Sequence, residues 1–149
     1  MKRSYKEEYQ YWLDSPALGE EEWKELSSIA EDEKEIESRF FAPLEFGTAG
    51  LRGVMATGLN RMNIHVIRWA TQAFATVVKA EGEEACKKGV VICYDCRLNS
   101  EKFAREAAGV MAANGIRVRI FDALRPTPEL SFAVIHYGAT AGINITASH

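Results

Sequence analysis

Two residues at the end of the chain, Ser148 and His149, could take part in phosphoryl transfer. They lie in a Thr-Ala-Ser-His turn that follows the apolar run 141–145. A hydroxyl group on a turn after a buried strand is accessible to a substrate and can act as a nucleophile. A neighbouring imidazole can donate a hydrogen bond to a phosphate oxygen. The Gly-x-Ser-x-Gly elbow of the α/β-hydrolases is missing around Ser148, so the sequence does not favour that alternative.

A glycine-spaced segment, residues 47–53, contains a second candidate group, the guanidinium of Arg52. Closely spaced glycines let backbone amides approach an anion, and a guanidinium can bind a phosphate through two hydrogen bonds. We therefore expect Thr48, Gly50 and Arg52 to bind phosphate. The segment matches neither Gly-x-Gly-x-x-Gly nor Gly-x-x-x-x-Gly-Lys-Ser/Thr, the nucleotide-binding fingerprints. Taken alone, it also fits an arginine that pairs with a surface acid.

Strand and helix patterns alternate in the second half of the chain and would position these groups. We predict three buried strands, at 89–95, 116–121 and 141–145. The alternation indicates an α/β fold, a three-layer, mostly parallel sheet with helices on both faces. Ligands bind outside the carboxyl ends of the strands in such sheets. Asp95, Arg125 and Ser148 each follow a predicted strand, so we expect polar residues to gather at one edge.

Three polar residues are candidate caps for the helices between the strands. Asn63 precedes a helical pattern that continues to about Lys88. Asn99 precedes a second pattern, and Thr127, followed by a proline, precedes a third. Short polar side chains before a helix satisfy its first free N–H groups, and proline suits the first helical position.

The amino-terminal part of the chain has a different pattern. Apolar residues recur at helical spacing over 5–41, with a break at Ser15-Pro16, which predicts two or three short helices. After Pro43 the composition shifts toward glycine, and we expect an extended segment with a tight turn. We therefore predict a helical extension at 1–41 and an α/β domain at 42–149.

Composition narrows the possible functions. The 149 residues are 47% hydrophobic and 26% charged, which is typical of a folded domain with a core of ordinary size. The formal charge of -3, with basic residues scattered among acids, does not indicate nucleic-acid binding. The sequence contains neither a signal peptide nor an apolar run that could span a bilayer. We expect a soluble, cytoplasmic protein without a membrane partner.

Cys93 and Cys96 have the C-x-x-C spacing of redox and zinc sites. Cys93 lies in a predicted strand, where residues three apart point to opposite faces, and a second cysteine pair is missing. With Cys86, the count is odd. We predict three reduced thiols that do not bind zinc.

Five segments together carry a resemblance to one enzyme family. They are Phe46–Gly53, Asn60–Asn63, Tyr94–Arg97 with Ser100, Pro126–Leu130 and Gly142–His149. These segments are similar to the first domain of the α-D-phosphohexomutases, which include phosphoglucomutases and phosphomannomutases. The helical leader resembles the branch with bacterial phosphoglucomutases and vertebrate phosphopentomutase-like members. Cys96 stands where the family commonly has serine, which affects one hydroxyl contact.

The resemblance implies a four-domain enzyme of which this chain is the first domain. A phosphoserine at Ser148 would pass its phosphoryl group to a hexose monophosphate, and the bisphosphorylated sugar would return its other phosphoryl group. A glucose 1,6-bisphosphate-type activator and Mg²⁺ belong to this scheme. The metal would be held by the phosphoserine and by an Asp-x-Asp-x-Asp motif in the second domain, so the expected partners are a phosphorylated sugar and domains II to IV.

Alternatives remain open within and outside this enzyme class. Phosphoglucomutase is the main hypothesis, but phosphomannomutase and phosphopentomutase are also possible because substrate choice resides in the later domains. A different class is a binding module that holds a phosphorylated ligand through Arg52 without turnover. We expect the 149-residue chain alone to be inactive.

Overall fold

The computed structural model describes residues 3–48 and 50–146. The chain divides into two compact units, 1–66 and 67–149. Among the described residues, none of the helices is long and apolar enough to cross a membrane.

The first unit begins with three short helices, as the sequence predicts. They are α1 (Tyr5–Leu13), α2 (Glu20–Ser28) and α3 (Glu33–Phe40). Ser4 caps α1 by accepting a hydrogen bond from the Glu7 N–H, while the Glu7 carboxylate accepts one from the Ser4 N–H, a capping box. Asp32 caps α3. The predicted break at residues 15–16 falls between α1 and α2.

An aromatic cluster forms the core of these helices. Tyr9, Leu26, Ile36 and Phe40 are buried together. The Tyr9 ring meets the Phe40 ring edge to face at 5.6 Å, and its hydroxyl donates a hydrogen bond to the Leu26 carbonyl at 2.9 Å. The Tyr9 side chain thus packs its ring against α3 and hydrogen-bonds α2 through its hydroxyl, which holds α1 against both helices.

A small hairpin follows the three helices. Strands β1 (Phe46–Gly47) and β2 (Gly50–Leu51) are antiparallel, with Phe46 opposite Leu51 and Gly47 opposite Gly50. Thr48 lies at the turn. The expected extended segment with a tight turn is confirmed.

Two helices replace the single long helix predicted between Asn63 and Lys88. Helix α4 (Ile64–Ala80) begins in the first unit, and α5 (Glu83–Lys88) follows it. Between them Gly82 has a φ of 98°, a conformation that ends helical hydrogen bonding. The apolar stripe alone did not reveal this break. The Asn63 cap is confirmed, since its Oδ1 accepts a hydrogen bond from the Val66 N–H at 3.0 Å.

The second unit is built on a parallel sheet with the strand order β4-β3-β5. The strands are β3 (Val90–Tyr94), β4 (Val118–Ile120) and β5 (Ala141–Ile145). Val90 lies opposite both Val118 and Ala141. The three predicted strands are confirmed, although β4 is shorter than 116–121.

Helices cover both faces of this sheet. They are α6 (Ser100–Ala113) and α7 (Thr127–His136). Leu130 and Ala133 of α7 pack against Val91 and Cys93 of β3. The alternate β3 residues are equally buried, and α6 contacts all three strands. This arrangement confirms the predicted three-layer α/β fold.

The N-termini of α6 and α7 differ from the side-chain caps that the sequence predicts. Asn99 occupies the N-cap position of α6, as predicted, with a φ of 63°, but its side chain makes no capping hydrogen bond. Thr127 is the first residue of α7 and Pro126 occupies the cap position, so the prediction of Thr127 as the cap is wrong. The Thr127 hydroxyl instead accepts a hydrogen bond from the Asn144 side chain of β5, at 2.8 Å.

Candidate functional site

The carboxyl ends of the three parallel strands share one edge of the sheet. The Asp95 N–H, directly after β3, donates a hydrogen bond to the carbonyl of Ile145, the last residue of β5, at 3.2 Å. The Arg125 N–H, in the segment after β4, donates to the Tyr94 carbonyl at 3.0 Å. Backbone hydrogen bonds therefore join the segments that leave the strands, at the edge where the sequence predicts polar residues.

The side chain of Asp95 connects two of these segments. Its Oδ1 accepts hydrogen bonds from the Ser100 hydroxyl at 2.7 Å and from the Arg97 N–H at 2.9 Å. Its Oδ2 accepts one from the Thr146 hydroxyl at 2.7 Å. Ser100 begins α6, and Thr146 follows β5. One carboxylate thus ties the start of a helix to the end of a strand.

Arg125 is paired with acids of its own segment. Its guanidinium lies 3.2 Å from the Glu129 carboxylate and 3.7 Å from that of Asp122. Its carbonyl accepts a hydrogen bond from the Cys93 thiol at 3.0 Å. Burial raises the pKa of this thiol above its ordinary value.

All three cysteines are free thiols with different exposure. Cys93 is buried, Cys86 is partly buried and Cys96 is exposed. Cys96 lies beyond the end of β3, in the loop that Asp95 organises. Among residues 3–48 and 50–146, we find no group of three histidine, cysteine, aspartate or glutamate side chains that could hold a metal ion.

Ser148 and His149 lie outside the described residues. Thr146, two positions before Ser148, is the last described residue of this segment. The catalytic roles of Ser148 and His149 therefore stay predictions.

The other predicted site residues belong to the hairpin of the first unit. Thr48 and Arg52 are exposed, and Gly50 is partly buried in β2. Two apolar side chains flank the hairpin in solvent, Phe46 and Val54, each 70% exposed. This combination leaves the candidate phosphate-binding groups accessible.

The segment that follows Arg52 is fixed by three residues, Glu25, Arg39 and Thr57, which we call the Glu25 clamp. The Thr57 hydroxyl donates a hydrogen bond to Glu25 Oε2 at 2.6 Å, and the Thr57 N–H lies 3.2 Å from both carboxylate oxygens. Arg39 Nη1 donates to the Glu25 carboxylate at 2.5 Å and to the Thr57 carbonyl at 3.0 Å. The clamp fastens a loop to helices α2 and α3.

Electrostatics stabilise the charged forms in this clamp. Burial opposes ionisation of Glu25, but hydrogen bonds from Thr57 and Arg39 outweigh it and lower the pKa of the carboxyl group. Burial also opposes the charge on Arg39, whose side chain is 11% exposed. Hydrogen bonds to Glu35 and Glu25 outweigh this penalty and raise the pKa of the guanidinium.

The Asn-Arg-Met-Asn segment before α4 adds further ties within the first unit. Asn60 donates a side-chain hydrogen bond to the Ala42 carbonyl at 3.0 Å. Arg61 donates to the Ser38 carbonyl and hydroxyl at 3.1 and 2.9 Å. Asn63 Nδ2 donates to the Gly58 carbonyl at 2.8 Å. Because these side chains donate hydrogen bonds mainly to backbone carbonyls, they stabilise the conformation of the loop after Arg52.

The two sets of ties involve residues that the sequence does not single out as functional. Glu25 and Thr57 are 32 positions apart, and Asp95 and Thr146 are 51 apart. The sequence identifies Asp95 as a polar residue directly after a predicted strand, but it does not reveal the hydrogen bond from Thr146. Glu25 is one of four glutamates in α2, so its spacing gave no signal for the clamp.

The second unit is a parallel α/β domain whose strand β5 leads into the sequence Thr-Ala-Ser-His. A family model described as phosphoglucomutase/phosphomannomutase, alpha/beta/alpha domain I, matches residues 43–149. The chain belongs to the phosphoglucomutase/phosphomannomutase family, the α-D-phosphohexomutases.

Curated relatives carry related names. A phosphopentomutase of Homo sapiens is 42% identical over 147 residues, which cover 93% of this chain and 24% of that protein. A phosphoglucomutase of Staphylococcus saprophyticus is 42% identical over 117 residues, 78% of this chain and 21% of that protein. A probable phosphoribomutase of Schizosaccharomyces pombe is 40% identical over 80% of this chain and 20% of its own length.

The chain spans about a quarter of the length of these relatives. Further domains of a phosphomutase are therefore implied. No solved structure gives a significant match to the chain.

Proposed function

We propose that this chain is the first domain of a phosphoglucomutase-type enzyme that interconverts hexose 1-phosphate and hexose 6-phosphate. The observation that carries this proposal is the family match over residues 43–149, which include Ser148 and His149. Accessible hairpin groups around Arg52 give further support. The proposal includes the division into an extension at 1–41 and a domain at 42–149, and a cytoplasmic location.

In this proposal Ser148 carries the phosphoryl group. The bond between Ser148 Oγ and phosphorus breaks while a sugar hydroxyl oxygen bonds to that phosphorus, and the hydroxyl proton leaves to a base. The resulting bisphosphorylated sugar returns its other phosphoryl group to Ser148 in the reverse sense. A glucose 1,6-bisphosphate-type activator would phosphorylate an empty Ser148. Charge moves to the phosphoryl oxygens during each transfer, so positively charged donors contribute most to catalysis.

Arg52 supplies a positively charged donor in the proposal, and His149 supplies a further hydrogen-bond donor. Arg52 would bind phosphate oxygens through its guanidinium, together with the backbone amides at Thr48 and Gly50. His149 would donate a hydrogen bond next to the phosphorylated serine.

The described residues do not themselves form a metal site. We therefore propose that this chain contributes to Mg²⁺ binding only through phosphorylated Ser148, with the other ligands in later domains. No step assigned to Arg52 or His149 depends on the metal.

A pentose phosphate is the second candidate substrate. Relatives named phosphopentomutase match 93% of this chain, whereas those named phosphoglucomutase match about 80%. The amino-terminal extension thus has counterparts in the phosphopentomutases. Phosphomannomutase activity stays a further alternative within the family.

The decisive experiment uses the full-length enzyme with Ser148→Ala, Arg52→Ala and Arg105→Ala variants. Arg105 is an exposed arginine on α6, paired with Glu101 at 2.8 Å, and serves as the control for loss of a surface cation. Each protein is incubated with a hexose 1,6-bisphosphate, its phosphopeptides are mapped, and its turnover of glucose 1-phosphate and ribose 1-phosphate is measured.

We expect phosphate on Ser148 and no turnover by Ser148→Ala. Arg52→Ala should keep a phosphorylatable serine but lose on the order of 2 to 4 kcal/mol of transition-state stabilisation. Arg105→Ala should behave as wild type. Ligand binding without turnover by the wild-type enzyme would support the binding-module alternative. Phosphate on another residue, or normal turnover by Ser148→Ala, would overturn the mechanism.

A further inference from the structure

Strand β5 is tied to the rest of the second unit by a threonine hydroxyl at each end. Thr140, just before β5, donates a hydrogen bond to the Ala85 carbonyl at 2.7 Å. Thr146, just after β5, donates to Asp95 Oδ2 at the same distance. Both hydrogen bonds are partly buried. The acceptors differ, since one is a backbone carbonyl and the other a carboxylate.

We propose that Asp95 is a positioning residue for Ser148, acting through the hydroxyl of Thr146. This inference rests on the proposed function of Ser148. Asp95 does not touch the reacting phosphate in this scheme. It fixes the point from which the serine segment leaves the sheet.

The hydrogen bond of Thr146 matters for Ser148 because only one residue separates the two in the chain. Strand β5 ends at Ile145, whose carbonyl accepts a hydrogen bond from the Asp95 N–H at 3.2 Å. Thr146 lies beyond that bond and is held by the Asp95 carboxylate. Two residues of extended chain span at most about 7 Å and three about 11 Å, so an anchor at Thr146 rather than at Ile145 shortens the tether to Ser148 by one residue.

The anchor itself is rigid because Asp95 is held from the other side. Its Oδ1 accepts hydrogen bonds from the Arg97 N–H and from the hydroxyl of Ser100, a buried residue at the start of α6. Hydrogen bonds to an ionised acceptor are shorter and stronger than neutral ones. The position of Thr146 is thereby set by β3 and α6 together.

In-line phosphoryl transfer is sensitive to this kind of placement. The serine oxygen, phosphorus and sugar oxygen must be aligned, and an error of about 1 Å can reduce the rate by about 100-fold. Loosening Thr146 should therefore reduce the rate of transfer at Ser148 without removing any group that binds the sugar.

The test compares Thr146→Val and Thr140→Val in the full-length enzyme. Each variant loses one hydroxyl that makes a 2.7 Å hydrogen bond next to the same strand, and the melting temperature should fall more for Thr146→Val, whose lost partner is a carboxylate. We expect Thr146→Val to reduce kcat, and the rate at which a hexose 1,6-bisphosphate phosphorylates Ser148, by up to about 100-fold with KM unchanged. Thr140→Val should keep wild-type kcat, and Thr146→Ser, which retains the hydroxyl, should recover most of the loss.

A double variant separates this tie from other roles of the two residues. If Asp95 acts through Thr146, Asp95→Ala with Thr146→Val should lose no more activity than Asp95→Ala alone. Equal kcat in Thr146→Val and Thr140→Val, or additive losses in the double variant, would refute the positioning role while leaving phosphorylation of Ser148 intact. If the wild-type enzyme carries its phosphate elsewhere, the proposed function and this inference both fail.

Discussion

Cys93 and Cys96 are three residues apart and have opposite environments. Cys93 lies within the buried strand β3 and donates its thiol hydrogen to the Arg125 carbonyl. Cys96 is exposed in the loop that follows. Since the thiolate is the reactive form, burial that raises the pKa of Cys93 protects it twice, by blocking access and by keeping the proton on sulfur.

We therefore predict unequal thiol reactivity in the native protein. At neutral pH, a thiol reagent should modify Cys96 rapidly and Cys93 only on the timescale of unfolding. Titration in denaturant should recover three thiols, and peptide mapping identifies the order. A Cys93–Cys96 disulfide or stoichiometric zinc would contradict the assignment of Cys93 to β3.

The functional residues also differ in how far their roles could be inferred from sequence. Arg52 and Ser148 stand in short motifs whose composition suggests phosphate chemistry. Asp95 is visible as a polar residue after a strand, but its bond to Thr146 requires the pairing of β3 with β5. Glu25 looks like any other acid of an exposed helix face, because its partner Thr57 is brought near only by folding.

At the scale of elements, Gly89 shows how tightly β3 follows α5. Its φ is 73°, and an added Cβ would collide with the Arg117 carbonyl, which accepts the hydrogen bond of the Val90 N–H at 2.8 Å. Gly115, between α6 and β4, has a φ of 75° but open space where a Cβ would lie. Both glycines have a positive φ that would strain an alanine, and they differ in the space available for its Cβ.

We therefore predict that alanine substitution reduces the free energy of unfolding by different amounts at the two glycines. Gly115→Ala should cost about 1–2 kcal/mol, the penalty for a left-handed alanine. Gly89→Ala should cost more, because the Arg117 carbonyl must also move away from β3. Urea unfolding of the two variants measures the difference. Equal losses of unfolding free energy would show that the Arg117 carbonyl moves away at no cost.

We predict that replacing Glu25 in the Glu25 clamp destabilises the protein more than replacing an exposed glutamate on the same helix. Glu25→Ala leaves the Thr57 N–H and hydroxyl without their acceptor and removes one of the two carboxylates paired with Arg39, which should reduce the free energy of unfolding by about 1–3 kcal/mol. Glu21→Ala, an exposed position on the same helix, is the control and should change it much less. Denaturant unfolding of both variants checks the prediction, and equal effects would mean that the clamp contributes no stability.

Sequence periodicity identified most elements but not all their limits. The runs that became β3 and β5 are apolar and bounded by polar or glycine residues, so their ends were clear. The helix over 64–88 was expected to be continuous because its apolar stripe continues past Ala80. Gly82 breaks it through backbone conformation, which periodicity does not measure.

For the molecule as a whole, the paired carboxylates make stability depend on pH. The pKa of Glu35 is lowered mainly by its hydrogen bond from Arg39, and that of Glu25 is also below the ordinary value of 4.5. A group with a lowered folded-state pKa stabilises the fold above its unfolded pKa, and this contribution is lost as pH falls through the folded value. Below about pH 4.5 the melting temperature should therefore decline.

The same reasoning makes the contribution of Glu25 measurable. The difference in melting temperature between wild type and Glu25→Ala should be largest near neutral pH and should shrink as acid protonates the carboxylate. Glu21→Ala again serves as control. A difference that stays constant down to pH 3 would contradict the assigned pKa direction of Glu25.

We also predict that the 149-residue chain alone does not interconvert sugar phosphates. It spans about a quarter of its relatives, and its described residues hold no metal-binding cluster, so the groups that stabilise transferring charge are incomplete. An assay with glucose 1-phosphate, Mg²⁺ and a bisphosphate activator, with Ser148→Ala as the blank, checks this. Turnover above the blank would overturn it.

The parallel pairing of β3 with β5 also sets an order of events during folding. The two strands are separated in the chain by α6, β4 and α7, and the Asp95–Thr146 bond closes a loop across 51 positions. Closing so long a loop costs entropy that local helix formation does not, so β5 should join the sheet after α6 has formed. In pulse-labelled hydrogen exchange, β5 amides should gain protection later than those of α6. The serine segment would then become competent for modification only at the end of folding.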